Sequence, residues 1–284
     1  MDVNRVDLHT HTTASDGVQQ PWENVRMAKE AGLAAIAITD HDTIDGIAEA
    51  MEAGAQFGII VVPGVEISTV ANGQDIHILG YYTDWKNEQW RKKLQSLLDT
   101  RERRNEMIIE KLQQLGIPIT MEEVLEEARR QGKDGGTIGR PHIASVLIAK
   151  TIVASMQEAF DQFLSTEGAA YANPPRLHPF EAIDWIREAG GTSVIAHPGL
   201  YKDDALVEAI IQNGVDGIEV YHSDHTREDE AKYERLAQQH GLIVTGGSDF
   251  HGERQGAVFH GPIGNRTVDV GVLQQLNPVW RENA

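Results

Sequence analysis

The chain has 284 residues, of which 40% are hydrophobic, and this is enough for one large core. Its formal net charge of -18 opposes binding to long nucleic acids and anionic membranes, although bound cations would still admit a small anionic substrate. Cysteine is absent, which excludes disulfides and thiolate-held zinc, so a metal would need nitrogen and oxygen ligands.

Short β-branched runs alternate with amphipathic helical stretches along most of the chain. In chain order the candidate strands are RVDLH, AAIAITDHD, IIVVPGVEIS, DIHILGYY, TSVIAHP, GIEVYHS and LIVTGGSDF. Such near-continuous apolar runs fit strands that are buried on both faces, as in a parallel sheet. Helical stretches that end in glycine, such as PWENVRMAKEAG and PFEAIDWIREAG, separate several of them. The pattern predicts an α/β fold, either a barrel or a doubly wound sheet.

The alternation stops between residues 85 and 179, where the pattern is helical. Trp90 and Leu94 begin a series of apolar residues at helical spacing, which predicts one long amphipathic helix. Further helices are predicted at TMEEVLEEARRQG, RPHIASVLIAK and MQEAFDQFL. We interpret residues 85–179 as a helical insertion, or cap subdomain, between the fourth and fifth strands. Residues 1–84 and 180–284 would then form a discontinuous strand-rich domain.

Histidines and carboxylates are concentrated at the ends of the predicted strands. Those that follow or end a strand are His9, His11, Asp16, Asp40, His41, Asp42, Glu66, His197, Glu219, His222, Asp249 and His251, and His77 lies within the fourth strand. The C-terminal ends of parallel strands converge on one mouth, and imidazoles with carboxylates suit Mn²⁺, Fe²⁺ or Zn²⁺. One strand-end histidine alone is more often a hydrogen-bonded core residue. The coincidence across six strands predicts a metal cluster.

Other polar residues have simpler explanations. Structural roles are expected for His178 in a linker, His225 at a helix start, His240 at a helix end and His260 in the C-terminal tail. Asp224 is expected to be a helix N-cap. Two roles are left open for Glu219: it could contact a metal ligand and orient it, or it could be a buried ion.

The motifs DLHTHTTASDG, ITDHDTI, PGVEIS, IHILGY, AHPG and GSDFHG together resemble the PHP (polymerase and histidinol phosphatase) family. GRPHIA and EVYHSDH further resemble its predicted metal-dependent phosphoesterase branch, which includes nucleoside 3′,5′-bisphosphate phosphatases and 5′→3′ exoribonucleases. The resemblance implies a distorted (β/α)7 barrel of the PHP type. It also implies two or three divalent metal ions at the barrel mouth, with Mn²⁺ expected and Fe²⁺ or Zn²⁺ as alternatives.

The resemblance implies a set of metal ligands as well. The first ion would be bound by His9, His11, Glu66 and Asp249, and Glu66 would bridge to a second ion held by His77 and His197. A third ion would be bound by Asp16, His41 and His251. Asp40 would orient a ligand, because metal-bound histidines usually donate their other N–H to an oxygen.

This arrangement suits phosphate-ester hydrolysis, because clustered divalent ions lower the pKa of bound water from 15.7 to about 7. The resemblance implies attack by a metal-bridging hydroxide. Arg140 is a candidate fork for phosphate oxygens, although Arg140-Pro141 could simply open a helix. His142 and His222 are candidates to bind the phosphate, and His222 could instead protonate the leaving group. The predicted catalytic set is His222, Arg140 and Asp249.

The function predicted first is removal of the 3′-phosphate from a nucleoside 3′,5′-bisphosphate, with adenosine 3′,5′-bisphosphate giving AMP and phosphate. The acidic composition and the lack of an aromatic run favour a small phosphorylated substrate over a long nucleic acid. The alternatives are a 5′→3′ exoribonuclease on short RNA, a histidinol-phosphate phosphatase and a non-catalytic, metal-stabilised PHP module. No membrane partner is expected and the expected location is the cytoplasm, because no bilayer-length apolar run or signal-peptide pattern occurs.

Overall fold

The computed structural model describes residues 4–130, 137–254 and 257–277. Its strands are β1 (Arg5–Asp7), β2 (Ala35–Ile38), β3 (Ile60–Ala71), β4 (Gln74–Tyr81), β5 (Thr192–Ile195), β6 (Gly217–His222), β7 (Ile243–Gly247), β8 (Glu253–Arg254), β9 (Ala257–Val258) and β10 (Val268–Asp269). Its α-helices are α1 (Pro21–Glu30), α2 (Ile47–Phe57), α3 (Glu88–Gln114), α4 (Met121–Arg130), α5 (Arg140–Ala149), α6 (Met156–Ala159), α7 (Pro179–Glu188), α8 (Asp204–Gln212), α9 (Arg227–His240) and α10 (Val272–Leu276). None of the helices in these ranges is both long enough and apolar enough to cross a membrane.

Eight strands form one sheet in the order β10-β1-β2-β3-β4-β5-β6-β7. The chain segment after β1 hydrogen-bonds to β7 and to the residues just after β7, so the sheet curls into a nearly closed barrel. Leu8 N donates to Gly246 O at 3.1 Å, and Asp249 N donates to His9 O at 2.9 Å. The seven predicted strands correspond to β1 to β7, and the distorted α/β barrel predicted from the sequence is confirmed.

The parallel pairing suggested by the apolar runs is wrong for β4, which is antiparallel to both β3 and β5. Asn72 and Gly73 join β3 to β4 with φ values of +51° and +79°, the left-handed pair that type I′ hairpins require. As a consequence β3 continues to Ala71, and Glu66 lies inside a strand instead of at its end. The unpredicted strand β10 pairs antiparallel with β1.

Helices α3 to α6 follow one another between β4 and β5, and the described part of residues 82–191 contains no strand. Asn87 caps α3, because its side chain accepts hydrogen bonds from Gln89 N at 2.8 Å and Trp90 N at 3.1 Å. Trp90 packs in the barrel core, whereas Ile108 near the other end of α3 packs in a separate core with α4 and α5. The helix therefore connects two cores. The domain boundaries at residues 85 and 179 stay predictions.

Candidate metal centre

The nine candidate ligands meet at the mouth of the barrel, and we call them the donor cluster. They are His9, His11, Asp16, His41, Glu66, His77, His197, Asp249 and His251. Donor atoms lie within 4.8 Å of one another in each of three overlapping groups: His9, His11, Glu66 and Asp249; His11, Asp16, His41 and His251; and His41, Glu66 and His77. The shared members make these groups contiguous, and together they offer enough donors for more than one ion.

Glu66 is at the centre of the donor cluster. Its Oε1 lies 2.8 Å from His77 Nδ1 and 3.0 Å from His197 Nε2. Its Oε2 lies 3.1, 3.2 and 3.4 Å from ring nitrogens of His41, His11 and His9. Burial alone would raise the pKa of Glu66, but the imidazoles of His41 and His77 outweigh it and hold that pKa well below its usual range. A buried carboxylate that faces five imidazoles is suited to bridge two cations.

Several buried donor atoms of the cluster have no hydrogen-bond partner within the described part of the chain. They are His9 Nε2, His11 Nε2, His41 Nδ1, His197 Nδ1 and Asp249 Oδ1. All except His197 Nδ1 lie 3.1 to 3.4 Å from an opposing nitrogen or oxygen of the cluster, but without the geometry of a hydrogen bond. Buried polar atoms without hydrogen bonds are costly, so a fold that keeps several of them together is suited to an additional partner such as a cation. Imidazole nitrogen and carboxylate oxygen are ligands that Mn²⁺, Fe²⁺ and Zn²⁺ share. The donor set therefore fits divalent cations.

Two members of the donor cluster have strained backbones. His197 follows β5 with φ at +27°, and Asp249 follows β7 with φ at +53°. Non-glycine residues in this region cost about 1–3 kcal/mol and persist where the surroundings determine them. Both turns direct a ligand side chain inward at a strand end. Such strain is common at functional sites.

The close approach of β7 to β1 depends on Gly247. A Cβ at this position would lie 2.3 Å from His9 Cβ and 2.4 Å from His9 N. Only glycine lets the last long strand pass so near the residue that begins the donor cluster.

Glu219, which the sequence left open, contacts two members of the donor cluster. Its Oε1 lies 3.0 Å from His9 Nδ1, and its Oε2 accepts a hydrogen bond from His197 N at 2.8 Å. The carboxylate therefore occupies one ring nitrogen of His9 and leaves Nε2 to face the cluster. This is the orienting role that the sequence analysis assigns to Asp40.

Asp40, which is predicted to orient a metal ligand, forms three hydrogen bonds with one loop. It accepts hydrogen bonds from Thr12 N at 2.8 Å, from Thr12 Oγ1 at 2.7 Å and from Ser15 Oγ at 2.5 Å. Thr12 and Ser15 belong to the loop between His11 and Asp16. Asp40 thus holds the loop that carries two candidate ligands, without bonding a ligand imidazole among the described residues.

The GRPH segment begins α5 beside the donor cluster. A Cβ on Gly139 would lie 3.4 Å from Asp16 Oδ2. The His142 side chain is buried and its Nδ1 accepts a hydrogen bond from Gly139 N at 3.1 Å. The guanidinium of Arg140 pairs with Asp75, with Nη2 and Oδ2 separated by 2.8 Å. The predicted roles of Arg140 and His142 in phosphate binding stay predictions.

Two further histidines lie against the carboxylate of Asp249. His222 Nε2 lies 3.2 Å from Asp249 Oδ2, and its Nδ1 accepts a hydrogen bond from Asp224 N at 3.1 Å. His260 Nε2 lies 3.3 Å from the same Oδ2, while its Nδ1 contacts the Asp224 carboxylate. From the sequence, His260 is expected to have a structural role in the C-terminal tail, so its position at this site is a finding of the structure. Asp224 is not an N-cap as expected, because Thr226 caps α9.

Three arginines next to the donor cluster were also missed, namely Arg101, Arg104 and Arg176. Arg101 donates to Asp42 Oδ2 from Nε at 3.0 Å and from Nη2 at 2.7 Å. Arg104 and Arg176 both contact Asp75. In the sequence these arginines lie in a polar helix and a linker, where nothing distinguishes them from surface residues.

A model of the PHP domain matches residues 7–164. The chain is 36% identical over 252 residues to the 5′-3′ exoribonuclease Rnm of Escherichia coli (strain K12), covering 86% of this chain and 84% of that protein. It is 32% identical over 289 aligned positions to the 3′,5′-nucleoside bisphosphate phosphatase of Chromobacterium violaceum, covering 98% of this chain and 95% of that protein.

Two solved structures share this fold over nearly the whole chain. A proposed metal-dependent phosphoesterase from Bifidobacterium adolescentis superposes with a TM-score of 0.85 at 34% identity, over 95% of this chain and 94% of that chain. An amidohydrolase from Chromobacterium violaceum, with bound sulfate and no metal, superposes with a TM-score of 0.82 at 31% identity, over 98% and 95% of the two chains. The chain belongs to the PHP domain family and is a hydrolase of the metal-dependent phosphoesterase class.

Proposed function

We propose that this protein removes the 3′-phosphate from nucleoside 3′,5′-bisphosphates, and converts adenosine 3′,5′-bisphosphate to AMP and phosphate. The observation that carries the proposal is a buried donor cluster directly beside a compact group of arginines. A substrate with two phosphate groups on one ribose suits both features. The relative named as a bisphosphate phosphatase, which aligns over 98% of this chain, supports the same choice.

The donor cluster would bind two or three divalent ions, with Mn²⁺ expected and Fe²⁺ or Zn²⁺ as alternatives. When bound, these ions would supply an activated water and offset the charge of the phosphate. Glu219 keeps His9 Nε2 directed into the cluster, and Asp40 fixes the loop of His11 and Asp16. His222 Nε2, which lies at the Asp249 carboxylate, is our candidate to give a proton to the leaving oxygen. Arg140 and His142 are candidates to hold a phosphate group.

A 5′→3′ exoribonuclease on short RNA is the second candidate, because the Escherichia coli relative of that name has the higher identity, 36% against 32%. Both reactions break a phosphorus–oxygen ester bond at the same kind of site. The net charge of -18 favours a small substrate, since a long RNA needs an extended basic track. Histidinol-phosphate hydrolysis has no specific observation in its favour. We place the proposed reaction in the cytoplasm, as the sequence predicts.

The decisive experiment compares two substrates. Protein reconstituted with Mn²⁺ is incubated separately with adenosine 3′,5′-bisphosphate and with a short 5′-phosphorylated RNA, and both free phosphate and mononucleotides are quantified. We expect one phosphate and one AMP for each bisphosphate consumed, and little cleavage of the RNA. Stepwise release of mononucleotides from the RNA, with little phosphate from the bisphosphate, would overturn the proposal in favour of the exoribonuclease.

A further inference from the structure

The hydroxyl of Tyr201 lies between the main chains of β4 and β5, at the point where β5 ends. In the antiparallel ladder of these strands, Ile78 pairs with Ile195. The next two residues, His77 and Ala196, therefore face each other and could exchange two main-chain hydrogen bonds. One of these bonds is direct, since Ala196 N donates to His77 O at 3.2 Å. In place of the other, His77 N donates to Tyr201 Oη at 3.0 Å, and this hydroxyl donates to Ala196 O at 2.6 Å.

The chain after β5 brings Tyr201 back to this position. A single 3₁₀ turn, Pro198–Leu200, follows His197, and Tyr201 N donates to Pro198 O at 3.3 Å where the turn ends. The side chain of Tyr201 is buried in the barrel core. A buried tyrosine usually finds a hydrogen-bond partner for its hydroxyl, and here the partners are the main chains of two strands.

The two main chains that this hydroxyl joins carry both histidines of the predicted second metal site. His77 is itself one of the bridged residues, and His197 directly follows the other one, Ala196. The ring nitrogens of His77 and His197 lie 2.8 and 3.0 Å from Glu66 Oε1. A change in the separation of β4 and β5 at this point would therefore move two of the three donors relative to Glu66.

The ring of His197 lacks the usual orienting partner. Its Nδ1 is buried and has no hydrogen-bond partner among the described residues, whereas metal-bound histidines usually donate their other N–H to an oxygen. The ring of Tyr201 packs edge-on against this imidazole, with 5.7 Å between the ring centroids and 71° between the planes. The His197 backbone has φ at +27°, a conformation that persists only where the surroundings determine it. Tyr201 contacts both the ring of His197 and the carbonyl of the residue before it.

We propose that Tyr201 is a positioning residue for the second metal ion, the one predicted to lie between Glu66, His77 and His197. Its hydroxyl sets the separation of β4 and β5 at this point, and its ring orients His197. Because the hydroxyl is engaged by the two main chains, Tyr201 acts through the ligands and not on the ion. The first ion has a separate orienting carboxylate, Glu219, so loss of the hydroxyl should affect the ions unequally. The inference rests on the ion binding that the proposed function includes, and adds a residue that controls one of the ions.

Binding of Mn²⁺ to the metal-free Tyr201→Phe variant tests the inference without any hydrolysis. The change removes one oxygen and keeps the ring, so His77 N and Ala196 O lose their partner and can bond each other only if the strands move. By calorimetric titration we expect one of the ions to bind about 10- to 100-fold more weakly than in wild type, and the others to bind as in wild type. Tyr221→Phe is the control and should bind every ion like wild type, because its hydroxyl contacts Glu234 outside the donor cluster. Equal binding of all ions by wild type and Tyr201→Phe would overturn the inference.

A double variant separates positioning of the second ion from a general disturbance of the site. His77→Ala removes a predicted ligand of that ion, so adding Tyr201→Phe to this variant should cause no further loss of metal. After dialysis against one fixed Mn²⁺ concentration, the metal content should be the same in His77→Ala and in the double variant, and lower in both than in wild type. A further loss in the double variant would show that Tyr201 affects the whole centre, and would overturn the inference.

Gly199→Ala serves if Tyr201→Phe does not fold. A Cβ on Gly199 would lie 2.8 Å from His225 Cδ2, so the turn that carries Tyr201 must shift, while every predicted ligand and the hydroxyl are kept. We expect the same single ion to bind more weakly, and unchanged binding would overturn the inference. If wild type itself binds no Mn²⁺, the proposed function fails together with the inference. If wild type binds its ions and the variants bind them equally well, only the inference fails.

Discussion

His9 and Glu219 form a fully buried pair, with His9 Nδ1 3.0 Å from Glu219 Oε1, although 210 positions separate them in the chain. The pairing directs the other ring nitrogen, Nε2, toward Glu66 at 3.4 Å and Asp249 at 3.3 Å. A carboxylate in this position fixes the tautomer of the imidazole and increases its basicity as a metal ligand.

The substitution Glu219→Gln should therefore weaken metal binding without removing any ligand. The amide has nearly the same shape but lacks the charge, and loss of such a partner typically costs about 10- to 100-fold in metal affinity. Titration of the metal-free protein with Mn²⁺ measures the change. Glu208→Gln, an exposed residue of α8, is the matched control and should bind like wild type. An unchanged affinity in Glu219→Gln would show that the pair does not support the ligand.

Gly247→Ala should disturb both the fold and the donor cluster. The added methyl would meet the backbone of His9 at 2.4 Å, so β1 and β7 would have to separate. Forcing an extra methyl into a packed site typically costs about 1–3 kcal/mol of unfolding free energy. Urea denaturation of wild type and variant measures the loss. Gly271→Ala is the control, because there a Cβ meets only the end of the Asp269 side chain. Equal stabilities for the two variants would contradict the close approach.

Asp75→Asn should be strongly destabilising, because one buried guanidinium group (Arg104) and two partly buried ones (Arg140 and Arg176) share this one carboxylate. Breaking a buried ion pair by removing one partner typically costs about 3–5 kcal/mol. Asp184→Asn, at an exposed pair with Arg187, should stay within about 0.5 kcal/mol of wild type. Denaturant unfolding curves give both values. A loss in Asp75→Asn no larger than in Asp184→Asn would refute the role of Asp75.

Removal of divalent ions should lower the melting temperature. A ligand that binds only the folded state stabilises it by about 2.7 kcal/mol at a free concentration of 100 Kd. At about 2–4 °C per kcal/mol, this corresponds to a drop of roughly 5–10 °C on chelation. Thermal unfolding with a chelator, and then with excess Mn²⁺, should show the drop and its reversal. The Mn²⁺ effect should shrink on acidification, because imidazoles must be unprotonated to bind metal. A melting temperature that changes neither with the chelator nor with Mn²⁺ would argue against a metal centre.

Local patterns predict much of this fold, because hydrophobic periodicity and helix-ending glycines act over short distances. The strands β1 to β7 and the long helix α3 follow from such patterns. The antiparallel placement of β4 was missed although a signal was present, since Asn72-Gly73 between two apolar runs is typical of a hairpin. The two-residue strand β10 carries too little pattern to be recognised.

Residues that reach the site through distant contacts were beyond sequence reasoning. Arg176 contacts Asp75 across 101 positions, and His260 meets Asp249 from a segment read as a tail. The residues next to them in the sequence do not indicate that either one belongs to the site. Likewise, the spacing of motifs does not reveal that Glu219 contacts the imidazole of His9. Such pairings depend on where the barrel closes.

The metal content of the protein tests the proposed centre most directly. Elemental analysis after reconstitution with Mn²⁺ and desalting should find two or three ions per wild-type chain, in keeping with the overlapping donor groups. Glu66→Gln should retain fewer, because its carboxylate faces five imidazoles. A wild-type protein without stoichiometric transition metal, both as purified and after reconstitution, would contradict a metal-dependent phosphoesterase built on these residues.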